Sequence, residues 1–424
     1  MSLACEQPNP WTDLDYRALA DRFGTPLYVY DTATVKHQYE RLQAAFDVPS
    51  LAIHYACKAN NNLSLLRYLH SLGAGLDCVS LEEVHLGLHA GFAPEDILFT
   101  PNGVSLAEYE EAIKLGVGLN VDSISILEQL GQRHRDQLAL CLRINPHIMA
   151  GGNRKISTGH IDSKFGISIH QLPHVLRIVE ATGLHVEGVH MHTGSDIYDV
   201  APFLAAADIL LGVAEQFSEL RYIDFGSGFK VPYQNGDIET DVEQLGELMS
   251  ARFRDFCQGY GRELTLVFEP GKFLVSAAGR FLVETNVVKT TPSTVFVGVG
   301  SGLNHLLRPM FYDAYHHIEN VSNPEGRRRI YTVVGYICET DTFGANRQLS
   351  EVREGDLLTF RNAGAYCMTM ASNYNSRTRP AEVLLLDGEA HLVRRRETLE
   401  DVLATQVEAP LGQLLLRAHG TAER

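Results

Sequence analysis

The sequence predicts a (β/α)8 barrel followed by an antiparallel β domain, and three observations lead to this fold class. From about residue 50 to 270, eight short strand-like runs alternate with amphipathic helical stretches. After residue 285 the sequence changes to alternating apolar runs broken by turns. The chain has 424 residues, of which 45% are hydrophobic, so it is long enough for two domains. Eight strands alternating with helices are typical of a closed parallel barrel with an outer ring of helices.

The predicted barrel strands share a high content of apolar residues and are bounded by turn residues. They are LAIHYACK, AGLDCVS, DILFTPN, VGLNVDS, LALCLRIN, LHVEGVHMH, RYIDFGSG and LTLVFEPG. The stretches SLAEYEEAIKLG and APFLAAADILLGVAEQF carry the 3.6-residue apolar spacing of surface helices. After the second run, Ser80 and Glu83 form an S-x-x-E capping box that starts a helix, and Gly91 ends it.

The predicted β domain comprises STVFVGVGSG, RRIYTVVGYICE, GDLLTFRNAG and AEVLLLDGEAHLVRR. The opening GTPLYVYDTATV has the same character, so we expect it to pair with this domain and to bring the two chain ends together. The sequence therefore divides into an N-terminal segment (1–34), the barrel (35–284) and the β domain (285–424).

Charge and cysteine content exclude several classes of protein. A net charge of -16 argues against nucleic acid or an anionic membrane as a partner. No segment approaches the roughly 20 apolar residues of a membrane helix, and MSLACEQPNPW lacks the features of a signal peptide, so we expect a cytoplasmic protein. Seven cysteines without a CxxC pair fit neither a disulfide framework nor a zinc site. Cys57, Cys78 and Cys141 lie in strand-like runs, so we expect their thiols to be buried. Cys338 differs because charged residues follow it directly.

Polar side chains and glycines gather at the predicted C-terminal ends of the barrel strands, where barrel enzymes have their active sites. They are Lys58, Asp77, Asn102, Asp122, Arg143, His192, Gly226, Gly228 and Glu269. A packed barrel needs none of these groups. Their coincidence at one rim predicts a functional site.

Four of these features together favour a pyridoxal phosphate site. Lys58 is either a salt-bridge partner or an amine that attacks a carbonyl group. The turn Gly226 to Gly228 is either structural or a place where backbone N–H groups approach a phosphate. His192 could lie on an aromatic ring, and Glu269 could pair with a protonated ring nitrogen, which makes the ring a better electron sink.

The histidines of HMHTGSD also permit a metal site. His190 and His192 lie on the same face of a strand, as paired metal ligands do. Because we find no carboxylate or Cys/His set elsewhere in the sequence to complete the ligand shell, we expect no metal.

At these residues the chain resembles the fold-type III, alanine racemase-like pyridoxal phosphate enzymes, and among them the diaminopimelate decarboxylase family. The resemblance runs from GTPLYVYD to RRRETLEDVLA. Its motifs are YACKAN, DSKFGI, HTGS, EPGK, LNHLLRPMFYDAYHHI, CETDTF and GAYCMTMASNYNSRTRPAEVL. It implies decarboxylation of meso-2,6-diaminopimelate to L-lysine and CO2, the last step of lysine biosynthesis, by a homodimer with shared active sites.

The resemblance also implies roles for individual residues. Lys58 would hold the cofactor, His192 would stack on its ring and Cys338 would donate the proton, as the catalytic residues. Further cofactor contacts would come from Ser195, Gly226, Ser227, Gly228, Glu269, Gly271, Lys272 and Tyr366. The substrate would contact Lys272, Arg308, Tyr312, Glu339 and Tyr366. In this family the loop with the Cys and Glu residues enters the partner's site.

Two residues depart from the family pattern. Ser227 takes the middle place of a turn that usually has three glycines, and its hydroxyl adds a donor for a phosphate. Lys272 stands where the family usually has an arginine, and a lysine lacks the bidentate fork of a guanidinium. Recognition of the distal end of the substrate depends on this position.

Four alternatives follow from the same residues. A sister decarboxylase would act on another basic amino acid or on carboxynorspermidine, although Arg308 and Tyr312 favour a distal carboxylate. A racemase is disfavoured by Glu269. A catalytically silent regulatory homologue would typically lack Lys58 or Cys338. A cofactor-carrier barrel would not need the β domain.

Overall fold

The computed structural model describes residues 11–148, 163–234 and 236–409. The N-terminal decapeptide, in which we expect no signal sequence, and the first residue of the DSKFGI motif lie outside these ranges. The described chain forms two sheets, one of which closes into a barrel.

The N-terminal half alternates strands and helices. It comprises α1 (Tyr16–Phe23), β1 (Leu27–Asp31), α2 (Thr32–Ala45), β2 (Leu51–Ala56), α3 (Leu63–Ser71), β3 (Gly75–Cys78), α4 (Leu81–Ala90), β4 (Ile97–Phe99), α5 (Leu106–Leu115), β5 (Gly118–Val121), α6 (Ile124–His134), β6 (Ala139–Asn145), β7 (Ile167–Ser168), α7 (Leu172–Thr182), β8 (His185–His190), α8 (Val200–Ala214), β9 (Tyr222–Asp224), α9 (Val242–Tyr260), β10 (Thr265–Phe268) and α10 (Lys272–Val275).

The barrel consists of parallel strands in the order β2, β3, β4, β5, β6, β8, β9 and β10, and it closes where β10 pairs with β2. These are the eight runs predicted from the sequence, so the barrel prediction is confirmed. The two-residue strand β7, which was not predicted, extends the sheet beside β6. Buried aromatic rings pack in the barrel, among them Phe268 against Phe225, Phe229 and Phe46.

Helix α4 shows how local sequence sets the limits of an element. Ser80 accepts a hydrogen bond from the backbone N–H of Glu83, and Gly91 ends the helix at a φ of 107°, as predicted. The Glu83 carboxylate, however, accepts from the N–H of Val79 and not from the N–H of Ser80. The predicted capping box therefore forms only in part, because the Glu83 side chain accepts from the N–H one residue before the one that a capping box uses.

The C-terminal part forms the second sheet. Its elements are β11 (Gly279–Thr290), β12 (Val295–Val299), α11 (Arg308–Tyr312), β13 (Ile318–Asn320), β14 (Arg328–Val334), β15 (Thr342–Ser350), β16 (Leu357–Phe360), β17 (Ala381–Leu386), β18 (Glu389–Arg394) and α12 (Leu399–Leu403). Strand β1 lies in this sheet between β11 and β17.

The second sheet is mostly antiparallel, as predicted, but it contains two parallel pairs, β1 with β17 and β12 with β14. Parallel neighbours need a long connection between them. The whole barrel separates β1 from β17, and α11 with β13 lies between β12 and β14. The division at residues 34/35 and 284/285 stays a prediction, and the two limits fall inside α2 and β11.

The cysteines and helices bear on two further expectations. Cys57, Cys78 and Cys141 are buried, as expected, and Cys338 is exposed. Within the described ranges, no helix combines the length and the apolar character needed to cross a membrane.

Candidate active site

A cavity of about 830 Å³ lies at the C-terminal ends of the barrel strands. Eleven of the residues that the resemblance assigns to the site line this cavity. They are Lys58, His192, Ser195, Ser227, Gly228, Glu269, Gly271, Lys272, Arg308, Tyr312 and Tyr366. Gly226 lies beside them in the same turn.

Lys58 follows β2 in a short helical turn, Cys57–Ala59. Its Nζ lies 3.5 Å from Asp77 Oδ2 at the end of the neighbouring strand β3. Burial lowers the pKa of Lys58, but the charge of Asp77 raises it, and the net direction is upward. Burial and then the charge of Glu269 raise the pKa of Asp77 to about 7. Lys58 is thus the salt-bridge partner of Asp77 and also lines the cavity, and the attack of its amine on a carbonyl group stays a prediction.

The glycine turn is packed too tightly for side chains. A Cβ on Gly228, which has a φ of 129°, would lie 2.2 Å from the carbonyl oxygen of Gly194. A Cβ on Gly226 would lie 2.5 Å from the carbonyl oxygen of Met191. Between them, the N–H of Ser227 donates to His192 Nδ1 at 3.3 Å. His192 Nδ1 is therefore an acceptor, and burial lowers the pKa of His192, so its imidazole is neutral.

Glu269 follows β10 and is almost completely buried. Its Oε2 lies 3.0 Å from His190 Nε2, whereas its Oε1 is buried and makes no hydrogen bond to a described residue. Burial raises the pKa of Glu269, but the hydrogen bond and charge of His190 and the charge of Lys58 lower it below its usual range. Glu269 is therefore an ionised carboxylate inside the barrel.

Lys272 begins α10 and is only 8% exposed. Its Nζ donates to Asp196 Oδ1 at 2.5 Å. Asp196 follows Ser195 and adopts a φ of 62°, which is uncommon for a residue with a side chain. A buried cation is thus matched by an anion within the same cavity.

The remaining cation at this side of the cavity is held by aromatic rings. Arg308 is nearly buried, and its NH2 donates to Tyr233 Oη at 3.2 Å. Its guanidinium carbon lies 5.4 Å from the Tyr233 ring and 5.9 Å from the Tyr312 ring. The Tyr233 hydroxyl also lies 3.1 Å from Ser276 Oγ. These contacts hold a positive charge where an anionic group can reach it.

Tyr366 reaches the cavity from the second sheet. Its backbone N–H donates to the carbonyl of Ala59, next to Lys58, at 2.7 Å. Its hydroxyl would lie 3.2 Å from a Cβ on Gly271, so a side chain at Gly271 would crowd it. The second sheet is therefore part of the cavity wall.

Cys338 and Glu339 lie elsewhere. Within the described ranges, the residues that line the cavity do not include either of them. Both are exposed, and Cys338 Sγ lies 3.5 Å from Glu339 Oε2 and 3.5 Å from Asn375 Nδ2. The Tyr374 hydroxyl donates to the other oxygen of Glu339. The cavity of one chain therefore lacks the expected proton donor.

The other rim residues form a separate group. Asn102 Nδ2 donates to Asp122 Oδ2 at 2.5 Å, and the guanidinium carbon of Arg143 lies 4.9 Å from the Phe165 ring. Asn102 and Arg143 line the cavity. They shape one wall of the cavity.

The expectation that no carboxylate accompanies the histidine pair is wrong. One ligand atom from each of His190, Asp224 and Glu269 lies within 4.8 Å of the others, and all three residues are buried. The cause is strand adjacency, which spacing along the sequence does not reveal. His192 is not in this group, and His190 is hydrogen-bonded to Glu269.

The residues present fit pyridoxal phosphate on three structural observations. The buried Glu269 Oε1 has no partner among the described residues and is an acceptor for a ring N–H. The turn at Gly226 and Gly228 packs too closely against Met191 and Gly194 for side chains, and its residues Ser227 and Gly228 line the cavity, as a phosphate-binding turn requires. Lys58 supplies a primary amine in the same cavity.

Sequence reasoning placed Asp77 at the rim without a partner, and it missed two carboxylates, Asp196 and Asp224, and one tyrosine, Tyr233. Asp77, Asp196 and Asp224 pair with or lie beside Lys58, Lys272 and Glu269, and Tyr233 holds Arg308. The available signal was position, since Asp77 and Asp224 end predicted strands and Asp196 follows HTGS. Only the strand order shows which cation or carboxylate each one meets.

Comparison with known proteins supports this geometry. Residues 32–276 match the family model described as the pyridoxal-binding domain of pyridoxal-dependent decarboxylases. The chain is 39% identical to the diaminopimelate decarboxylase of Methanothermobacter thermautotrophicus, over 92% of this chain and 93% of that one. It is 38% identical to that of Neisseria meningitidis serogroup A, over 96% and 99%.

Solved structures give the same result. A crystal structure of diaminopimelate decarboxylase superposes with a TM-score of 0.85 and 35% identity, covering 91% of this chain and 94% of that one. The Helicobacter pylori diaminopimelate decarboxylase, solved with L-lysine, gives a TM-score of 0.84 and 32% identity, covering 92% and 98%.

Proposed function

The chain belongs to the pyridoxal-dependent decarboxylase family, and from this premise we propose that it converts meso-2,6-diaminopimelate to L-lysine and CO2, the last step of lysine biosynthesis. The observation that carries the proposal is the buried Arg308, held by Tyr233 in the same cavity as Lys58 and Glu269. A buried guanidinium suits a carboxylate at the far end of the substrate. Ornithine and arginine have no such carboxylate.

The proposed cofactor contacts follow the chemistry of each side chain. Lys58 Nζ holds the aldehyde carbon, and the neutral His192 lies on the ring. Ser195, the Ser227 hydroxyl and the N–H of Gly228 bind the phosphate. Gly271, Lys272 and Tyr366 complete the enclosure. When bound, pyridoxal phosphate supplies an electron sink for the electrons left when CO2 departs.

The chain's own residues supply the charged groups of this site. Glu269 stays ionised toward the ring nitrogen, and Asp77 lies within reach of a proton on Lys58 Nζ. Arg308 and Tyr312 bind the distal carboxylate, with Lys272 beside them.

A homodimer is proposed because the site of one chain is incomplete. Cys338 and Glu339 are exposed on a surface that also carries Tyr374, which is 44% exposed and donates to Glu339. In a two-fold dimer such a surface meets its own copy. Cys338 then enters the partner's cavity as the proton donor, and Glu339 binds the distal amine.

The function is tested by incubating purified protein with pyridoxal phosphate and meso-2,6-diaminopimelate and measuring lysine by mass spectrometry. Ornithine, arginine and carboxynorspermidine serve as parallel substrates. We expect lysine from diaminopimelate and no product from the others. Turnover of one of the others alone would assign a sister decarboxylase, the alternative that the lysine at position 272 favours.

The shared site is tested by mixing two inactive variants. Cys338→Ala should bind cofactor as the wild type does and lose most turnover. Lys58→Ala should also lose turnover, because it removes the amine that holds the cofactor in the other half of the shared site. Equal mixing gives heterodimers with one complete site, so about a quarter of wild-type activity should return. No recovery after verified subunit exchange, or full activity of Cys338→Ala, would contradict the shared site.

We also propose that the protein acts in the cytoplasm and without nucleic acid or membrane partners. The net charge of -16 and the free cysteines of the described ranges support this proposal. Fractionation of cells that express the chain at its natural level is the test.

A further inference from the structure

Three buried titratable side chains meet at the wall of the cavity because their strands are neighbours. His190 ends β8 and Asp224 ends β9, and these residues face each other in the sheet register. Glu269 follows β10, which pairs with β9 on its other side. Asp224 is 0% exposed. The proposed cofactor contacts use Glu269 and leave Asp224 and His190 unexplained.

Hydrogen bonds tie Asp224 to the glycine turn. Its Oδ1 accepts from the N–H of Gly226 at 2.8 Å. The carbonyl of the same Gly226 accepts from the N–H of Glu269 at 2.7 Å. The Asp224 side chain and the Glu269 backbone therefore bind the same residue of the turn, one at its N–H and the other at its carbonyl.

The hydrogen bonds leave two carboxylate oxygens unsatisfied. Asp224 Oδ2 and Glu269 Oε1 are both buried without a partner in the described part of the chain. Two neighbouring buried carboxylates do not both ionise, since their repulsion is not screened by water. Burial and then the charge of Glu269 raise the pKa of Asp224 well above its usual range, whereas His190 and Lys58 keep Glu269 ionised.

We propose that Asp224 is a positioning residue whose carboxyl group keeps its proton, donates it in a hydrogen bond to the ionised Glu269, and so holds Glu269 toward the ring nitrogen of the cofactor. His190 Nε2 is the second donor to Glu269. The two oxygens of a carboxylate have lone pairs enough for both donors and a ring N–H. The inference rests on the pyridoxal phosphate site and not on the identity of the substrate.

The protonated state makes Asp224→Asn and Asp224→Ala behave differently. Asparagine keeps an acceptor for the N–H of Gly226 and an N–H donor for Glu269, and it cannot ionise. Alanine removes both contacts and leaves Glu269 with one donor fewer. We expect Asp224→Asn to bind pyridoxal phosphate within about threefold of the wild-type Kd, and Asp224→Ala to bind it about tenfold or more weakly.

The measurement is absorbance titration of each apoprotein with pyridoxal phosphate, followed by the spectrum of the bound cofactor across neutral to alkaline pH. Neither readout needs turnover. Asp224→Ala should also shift the pH at which the cofactor band changes, because Glu269 is no longer held. Asp31→Ala, which truncates a buried acid at the end of β1 in the second sheet and outside the cavity lining, is the matched control and should leave both readouts unchanged.

Two results would overturn the inference. Equal weakening by Asp224→Asn and Asp224→Ala would mean that Asp224 acts as an anion. An unchanged Kd and spectrum in Asp224→Ala would mean that it does not position Glu269. Should Asp224→Ala fail to fold, infrared difference spectra of wild type and Asp224→Asn decide the question. A protonated carboxyl band in the wild type alone supports the proposal, and its absence contradicts it.

Discussion

Lys272 is the residue at which this site departs most from the family pattern, and its charge is already matched by Asp196 at 2.5 Å. The cation that remains for an anionic ligand on this side is Arg308. Removing the positive charge of Lys272 would leave Asp196 uncompensated beside the cavity, which is costly for a poorly solvated ion. The ion pair therefore acts as a unit, and changing one member alone disturbs the other.

We predict that Lys272→Arg keeps kcat/KM for diaminopimelate within about tenfold of wild type, because a guanidinium can still pair with Asp196. Lys272→Met should lose more than about tenfold, and Asp196→Asn in the same chain should restore part of the loss by removing the unpaired charge. Steady-state kinetics of wild type, Lys272→Met, Asp196→Asn and the double variant form a double-mutant cycle. Abolished turnover in Lys272→Arg would show that the site is built around an amine.

Tyr233 positions Arg308, and this gives a second prediction. Tyr233→Phe keeps the ring beside the guanidinium and removes the acceptor 3.2 Å from Arg308 NH2. We expect KM for diaminopimelate to rise about three- to tenfold with little change in kcat, because the lost hydrogen bond holds the distal binding group. Cofactor affinity should not change. A fall in kcat with KM unchanged would place Tyr233 at the reacting centre instead.

At the scale of elements, the loop after β16 must approach the barrel closely to carry Tyr366 to the cavity. A Cβ on Gly364 would lie 1.7 Å from the carbonyl oxygen of Val275, at the end of α10. The Gly364 carbonyl also accepts from Asn60 Nδ2 at 3.1 Å. Backbone meets backbone at this contact, so no flexible side chain can move aside.

We predict that Gly364→Ala destabilises the protein by roughly 3 kcal/mol or more, since the loop must shift away from α10. The free energy of unfolding from urea denaturation is the measurement. Gly212→Ala in α8, where nothing lies within 4 Å of an added Cβ, is the matched control. It should be neutral or stabilise by about 0.5–1 kcal/mol, as alanine does in a helix. Equal stability of the two variants would contradict the close approach.

The elements also show what sequence alone could predict. The barrel strands were identifiable because each is an apolar run bounded by turns, and their rim followed because parallel strands end at the same edge. Asp224 could not be assigned to Glu269, because the two are 45 positions apart and meet only through the pairing of β9 with β10. The sequence predicted that β1 joins the second sheet, but its pairing with β17 could not be predicted. That pairing depends on the path of the chain around the whole barrel.

At the scale of the whole molecule, the second sheet holds the Lys58 region against the barrel. Glu382 in β17 is fully buried and accepts hydrogen bonds from the Tyr30 hydroxyl at 2.7 Å and from Asn62 Nδ2 at 3.0 Å. Asn62 caps α3, which follows the Lys58 segment. With the contact between Tyr366 and Ala59, these bonds join both sheets around one side of the cavity. The position of Lys58 therefore depends on contacts from both sheets.

The acid stability of the fold gives the last prediction. Glu319 in β13 pairs with the buried Arg280 and with Arg361. Burial raises the pKa of Glu319, but the hydrogen bond from Arg361 and the charge of Arg280 lower it from 4.5 to about 2. The unfolded chain therefore binds a proton at higher pH than the folded one. The pair's contribution is complete above about pH 4.5 and is lost as the pH falls toward about 2.

We expect Glu319→Gln to lower the free energy of unfolding at about pH 7 by roughly 2–3 kcal/mol, because it leaves Arg280 without its anion. The difference from wild type should stay constant down to about pH 5 and shrink at about pH 3.5, where Glu319 is largely protonated in the unfolded wild type but still ionised in the folded one. Denaturation at these three pH values measures it. Glu389→Gln, whose side chain is 81% exposed in the same sheet, should differ little from wild type throughout. A Glu319→Gln difference that does not shrink in acid would show that the carboxylate contributes through packing and not through its charge.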